Sequence, residues 1–248
     1  MRPPAKKIPA RSSRRPPDKG SRTKAAEIIF VTGTDTGVGK TLLTAHLLHH
    51  LRESGRNALA MKPFCSGGRG DVALLQSLQP GQISDAEANP FYFPEPVAPW
   101  VSLRQRGKKI SITDVVKRIR HVQTKCEILI IEGSGGLLVP LAENLLVADL
   151  IARLRPRVVV VARNRLGTIN HTLLTLESLR SKGLQNISVA LMAGEKGDLS
   201  SRTNVLVLRK WAGAAVVEVP YLGRNAARKT AVKNSSKKMK KRLARILD

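Results

Sequence analysis

Gly33-Thr34-Asp35-Thr36-Gly37-Val38-Gly39-Lys40-Thr41 is the stretch that decides the fold. It reads as the phosphate-binding loop pattern G-x-x-x-x-G-K-[ST], ending on Gly39-Lys40-Thr41. The apolar run Ile28-Ile29-Phe30-Val31 comes just before it, and a helix-like segment, Leu42 to Leu51, follows. Strand, loop and helix in that order are the context the motif needs. Glycines let backbone N–H groups wrap a phosphate, and the helix N-terminus adds a partial positive charge. Lys40 can reach the terminal phosphates, and the Thr41 hydroxyl suits Mg²⁺. The chain is expected to bind a nucleoside triphosphate.

Working outward, apolar runs recur at 28–31, 58–61, 128–131, 158–161, 189–192 and 216–219. Helical stretches are expected over 40–54, 112–124, 145–154, 168–182 and 200–211. That alternation predicts an α/β fold, a doubly wound and mostly parallel sheet with helices on both faces. Asn89 to Pro99 holds four prolines and reads as an irregular loop. Ligands bind such sheets at the carboxyl ends of the strands. Four strands here end in chemistry-bearing segments: the phosphate loop, Lys62-Pro63-Phe64-Cys65-Ser66-Gly67, Glu132-Gly133-Ser134-Gly135-Gly136, and Leu166-Gly167-Thr168-Ile169-Asn170.

The length of 248 residues suits one such domain, and aromatics are only 3%, as buried parallel strands rich in Val, Leu and Ile allow. No apolar run approaches the roughly 20 residues of a membrane helix, so no membrane partner is expected. Two cysteines, Cys65 and Cys126, form no disulfide framework and point to a reduced, cytoplasmic protein. His46, His49 and His50 share one helix with no acidic ligand suitably spaced, and read as surface or packing residues.

The net charge of +25 is uneven: residues 1–24 carry +8, residues 224–248 carry +9, and the middle, 25–223, carries +8. The domain reading is therefore a basic disordered tail over 1–24, the core over 25–223, and a basic tail over 224–248 in which Val232 to Leu247 could form a loose helix. Solvated appendages, weak nonspecific polyanion binding, and a transit peptide for the first tail all remain open. Neither tail has an aromatic residue for stacking on bases.

Five segments, in order, resemble the dethiobiotin synthetase family of P-loop NTPases over about 28–223. The loop matches V-T-G-T-D-T-x-V-G-K-T. Lys62-Pro63 with Ser66-Gly67 is similar to K-P-x-x-[ST]-G. Glu132 to Gly136 is similar to E-G-[AS]-G-G, Leu166 to His171 to L-G-x-[IL]-N-H, and Val219-Pro220-Tyr221-Leu222 to [IV]-P-x-L. The resemblance implies a ligase that joins CO₂ or bicarbonate to 7,8-diaminononanoate and closes a cyclic urea, using ATP and Mg²⁺. A substrate amine attacks CO₂, the γ-phosphate activates the carbamate, and the second amine closes the ring.

On that resemblance Lys40 and Lys62 are catalytic, flanking two anionic groups. Gly37, Val38, Gly39, Lys40, Thr41, Glu132, Gly133, Ser134, Gly135, Pro220, Tyr221 and Leu222 bind ATP. Thr36 and Ser66 face the reacting end of the diamine. Gly167, Thr168, Ile169 and Asn170 open a helix that would take the substrate carboxylate from the neighbouring subunit, which implies a homodimer. Thr41, Asp71 and Glu132 match the Mg²⁺ positions; Asp71 could instead cap a helix before Val72.

Two departures stand out. Gly37 replaces a frequent Glu. More seriously, the strand at 189–192 ends in Met192-Ala193-Gly194 where the family usually has an adenine-reading Asn. Base recognition is then expected to rest on backbone near Ala193–Gly194 and Pro220–Leu222, with relaxed nucleotide choice. Two alternatives share the loop. Cobyrinic acid amidating synthetases carry a further amidotransferase domain, for which about 25 residues past the core are too few. Partition-type ATPase switches bind nucleic acid through basic surfaces but usually carry an early loop lysine, where this chain has Thr34, Asp35 and Thr36.

Overall fold

Successive residues of each central strand face opposite helical layers, and this two-sided burial explains the near-continuous apolar runs. The computed structural model describes residues 26–248; the reading of 1–24 as a tail lies outside them. In chain order the elements are β1 (Glu27–Gly33), α1 (Lys40–Glu53), β2 (Ala58–Met61), β3 (Phe64–Ser66), α2 (Gly70–Leu78), α3 (Asp85–Ala88), β4 (Phe91–Phe93), α4 (Pro99–Gln105) and α5 (Ile112–Gln123). Next come β5 (Ile128–Glu132), the short hairpin β6 (Pro140–Ala142) and β7 (Leu145–Leu146), α6 (Val147–Leu154), β8 (Arg157–Arg163) and α7 (Thr168–Ser181). The chain ends with β9 (Ile187–Met192), α8 (Asn204–Trp211), β10 (Ala215–Val219) and α9 (Lys229–Leu247).

Six strands form one parallel sheet in the order β10-β9-β8-β1-β5-β2. Phe30, Leu129, Ile131, Val158 and Val160 pack on the face covered by α5, α6, α7 and α8. Their neighbours Ile29, Val31, Ile130, Val159 and Val161 pack on the other face, with Leu43, Leu47 and Leu75 of α1 and α2. From β1 the chain goes to β2 and β5 on one side, then to β8, β9 and β10 on the other. The order therefore reverses beside β1, where an open α/β sheet leaves its ligand crevice.

Three expectations need correction. Asn89 to Pro99 is not wholly irregular: it contains β4, which pairs in parallel with β3, and Phe64 and Phe91 stack at 4.8 Å between ring centroids. Aromatic burial there outweighs the proline content. The phosphate loop is one residue longer than the pattern read from it: five residues separate Gly33 from Gly39, and Gly33 closes β1. Left-handed backbone at Gly37 (φ 71°) and Gly39 (φ 107°) turns the longer loop into α1. A Cβ on Gly39 would also sit 3.2 Å from Met192 Cε.

The third correction concerns the C-terminal basic segment. The helix α9 is docked, not loose. Val232, Met239, Leu243 and Ile246 are buried with the α1 side of the sheet. His46 is buried too; its Nε2 lies 2.9 Å from Ser235 Oγ and its Nδ1 2.8 Å from Leu42 O, a packing role joining α1 to α9. Composition hides this because eight Lys/Arg swamp four apolar residues spaced along one face.

Candidate active site

The carboxyl edge of β1, β2 and β5 gathers one connected set of polar side chains. Glu132 ends β5, where Val31 is its partner on β1. Lys62 follows β2 directly. Buried Asn89 fixes that strand end: its Nδ2 donates to Lys62 O at 2.9 Å, while Lys62 N donates to Ala88 O at 2.8 Å. Thr41 is the second residue of α1. Asp71 lies in the first turn of α2, as its second residue and not as its cap.

Lys62 Nζ donates to Glu132 Oε1 at 2.7 Å and also to Asp71 Oδ2. Thr41 Oγ1 donates to the same Glu132 Oε1 at 2.7 Å. Lys40 Nζ folds back to Asp35 O at 2.8 Å. Thus Thr41, Lys62, Asp71 and Glu132, four residues from separate elements, form one hydrogen-bonded group beside the phosphate loop. Among the described residues the buried polar atoms without a partner include Glu132 Oε2, Ser66 Oγ and, at the Lys62 strand end, Asn89 Oδ1. Buried polar groups are almost always satisfied, so such orphans point toward a ligand.

Burial sets the electrostatics. It lowers the Lys40 ammonium to about 8, with Glu132 opposing and Lys62 adding to the fall. Burial also works against the Lys62 charge, but Glu132 and Asp71 outweigh it and hold Lys62 above the ordinary lysine value. Burial lifts the Glu132 carboxyl above its usual value, with Lys62 pulling against it. The site thus holds Lys62 as a charged ammonium clamped by carboxylates, beside a less strongly charged Lys40. Among the described residues no cluster of three or more His, Cys, Asp or Glu could hold a metal. The hard donors present are the Thr41 hydroxyl and two carboxylates. That small set suits Mg²⁺, which keeps waters and takes phosphate oxygens in place of a full protein cage.

Ser134 sits close by, donating to Phe64 O, and Gly133 N donates to Val31 O at 2.9 Å. Along the other side of the loop runs a cavity of about 570 Å³. Gly37, Val38 and Gly39 line it with Met192 to Lys196 and Pro220 to Arg224, so the expected Pro220, Tyr221 and Leu222 do face the loop. Sequence reading missed Arg163, Asn164 and Arg165 in its wall, although their position at the end of β8 was a usable signal. The expected role of backbone at 193–194 narrows here, because Ala193 N is already bonded to Val219 O at 2.8 Å. Nor can Asn164 replace the missing Asn: its Nδ2 donates to Ser201 O and its Oδ1 accepts from Asn204, both at 2.9 Å.

Gly167 to Asn170 do not join this group within one protomer. They follow β8, and β1 and β5 lie between β8 and β2. At about 4.8 Å per strand, some 14 Å of sheet separates them from the Lys62 end. Leu166, 80% exposed, precedes that segment, and Leu174, 56% exposed, follows it on α7.

Comparison with known proteins adds an independent line. The family described as AAA domain matches residues 27–225. The ATP-dependent dethiobiotin synthetase BioD of Bacillus licheniformis is 37% identical over 200 residues, covering 78% of this chain and 83% of that protein. Its counterpart in Bacillus subtilis (strain 168) is 34% identical over 209 residues, covering 82% and 90%. That of Methanococcus vannielii is 42% identical over 164 residues, covering 66% and 78%. Among solved structures, a ParA family ATPase from Chlorobium tepidum TLS superposes with a TM-score of 0.57 at 13% identity, over 88% of this chain and 97% of that one. At that identity the likeness speaks for the fold alone.

Proposed function

This chain belongs to the dethiobiotin synthetase family, and from that premise we propose how its residues divide the work. It is an ATP-dependent ligase that forms C–N bonds, a P-loop enzyme that carboxylates 7,8-diaminononanoate with CO₂ and closes the cyclic urea through a phosphorylated carbamate, releasing ADP and phosphate. The early loop lysine of partition-type switches is absent, since Thr34, Asp35 and Thr36 stand there.

The hydrogen-bonded group of Thr41, Lys62, Asp71 and Glu132 carries the assignment of roles. In the reaction two anions, carbamate and γ-phosphate, must approach each other. Lys62, held charged between Glu132 and Asp71, stabilises the carbamate and the transferring phosphoryl group. Lys40 leaves Asp35 O for the phosphates when nucleotide enters. Loop N–H groups from Gly37 to Thr41 cradle the phosphates at the α1 N-terminus. Ser66 Oγ, otherwise unpaired, bonds the carbamate or a substrate amine, and Thr36 meets the same end of the substrate from the phosphate loop. Thr41, Asp71 and Glu132 would hold Mg²⁺, which supplies a second positive centre against the phosphate oxygens. Glu132, Gly133, Ser134 and Gly135 form the nucleotide-facing turn, and Pro220, Tyr221 and Leu222 cover the base.

The substrate carboxylate is taken by Gly167, Thr168, Ile169 and Asn170 of a second protomer. Support for a homodimer comes from the strand order, which keeps this segment far from Lys62, and from the exposed Leu166 and Leu174. No helix among the described residues is long and apolar enough to cross a membrane. Free thiols at Cys65 and Cys126 support a cytoplasmic location.

ADP release measured with Mg²⁺-ATP, bicarbonate and the diamine, omitting each in turn, tests the reading. Release should require the diamine. ADP formation indifferent to it would overturn the assignment.

A further inference from the structure

The docked basic helix α9 has no part in the ligase chemistry, yet its outer surface is unusual. Its 19 residues, Lys229–Leu247, hold eight Lys/Arg and no Asp or Glu. Lys229, Lys233, Lys237, Lys241 and Arg245 recur at every fourth position, and all five are exposed. Among the described residues none of them is in an ion pair. Like charges four apart repel on a helix, and Lys229 sits at the positive end of the helix dipole. A solubilising surface would mix both signs. This helix instead keeps an electrostatic arrangement that is unfavourable alone and is relieved by a linear polyanion.

We propose that α9 is a binding surface for the phosphate backbone of nucleic acid, separate from the ligase site and independent of its assignment. Its apolar side is spent: Val232, Met239, Leu243 and Ile246 are at most 1% exposed against the body of the protein. A membrane-surface helix needs that side free to enter the lipid boundary, so a bilayer is disfavoured as partner. The charged side has no aromatic residue, so bases are neither stacked nor read, and sequence preference is absent. From Lys229 to Arg245 the helix rises about 24 Å, which matches seven base-pair steps of a duplex. Because α9 is fixed against α1 and β10, the backbone that carries the five cations is held in place before binding.

The four-residue spacing turns the row by about 160° along the helix, so five phosphate contacts are the upper bound and the slope of log affinity on log salt from α9 alone is no steeper than about −4.5. The test uses the full chain and a fluorescent 20-base-pair duplex of arbitrary sequence, titrated between about 50 and 200 mM KCl, the range over which phosphate contacts dominate the salt response. The Lys237→Gln/Lys241→Gln/Arg245→Gln variant should bind at least about ten-fold more weakly at the low-salt end, with the slope reduced by about 2.7. Its melting temperature and its ADP release should match the wild type, which rules out a folding defect. An unchanged affinity and slope, or no binding by the wild type at low salt, would overturn the proposal. So would tighter binding of the wild type to phosphatidylserine vesicles than to DNA, lost in the same variant.

Discussion

Replacing Lys62 by Met separates the energetics of the site from its catalysis. Two carboxylates hold the ammonium, but unequally. The Glu132 side chain is 0% exposed and the Asp71 side chain 44% exposed. The Asp71 arm is screened and contributes about 0–1 kcal/mol. The Glu132 arm dominates: removing Lys62 strands a fully buried carboxylate, which costs about 3–5 kcal/mol. At about 2–4 °C per kcal/mol for a chain of this size, the melting temperature falls by roughly 6–20 °C. Adding Glu132→Gln removes the stranded charge while an amide oxygen still accepts from Thr41. The double variant should regain most of the loss, because replacing both members of a buried pair is often neutral. Urea unfolding followed by circular dichroism, without nucleotide, measures all four corners of the cycle. A single variant within about 1 kcal/mol of wild type would refute the reasoning, since no named mechanism for a large loss would then be acting. So would a double variant as unstable as the sum of the singles. Neither variant should turn over.

Three further outcomes follow from particular contacts. Ala193→Asn restores an amide where the nucleotide cavity lacks a free one, and should raise the preference for ATP over GTP by about 1–3 kcal/mol in competing kcat/KM. Leu243→Ala empties a buried position under α9 and should cost about 2–5 kcal/mol in urea unfolding, whereas a loose tail would show almost nothing. Glu87 is held down to about 2 by Lys125 and by the Ser84 N–H. Its depressed pKa gives stability that is present above the ordinary carboxylate value and lost as pH falls through about 2. Glu87→Gln should therefore cost about 1 kcal/mol at neutral pH, after allowance for solvent screening, with the gap to wild type shrinking at acid pH.

Five of the six sheet strands were legible because they are buried on both faces and so carry an unbroken apolar run, whereas β10 is interrupted by the exposed Glu218; 58–61 and 128–131 fall inside the observed strands. The helix expected over 112–124 is observed as α5, where the structure shows Ser111 and Asp114 capping each other across its first turn. Short elements were lost. Strand β4 hides among prolines, and its pairing with β3 depends on aromatic packing that no local pattern encodes. Lys62, Glu132 and Thr41 could be placed at one sheet edge by their positions after apolar runs. That Lys62 would sit bonded to both carboxylates is a matter of side-chain approach, across 70 residues of sequence to Glu132 and 9 to Asp71, beyond any periodicity. Helix α9 misled for the opposite reason: its charge dominates the composition, while its fold depends on four side chains.

The most direct test supplies ¹³C-bicarbonate, Mg²⁺-ATP and 7,8-diaminononanoate to the purified protein and analyses the product by mass spectrometry and carbon NMR. The account predicts a cyclic urea labelled at its carbonyl carbon, formed one for one with ADP and abolished by Lys62→Met. ADP formed without labelled urea, or labelled urea formed equally well by the Lys62→Met variant, would contradict it.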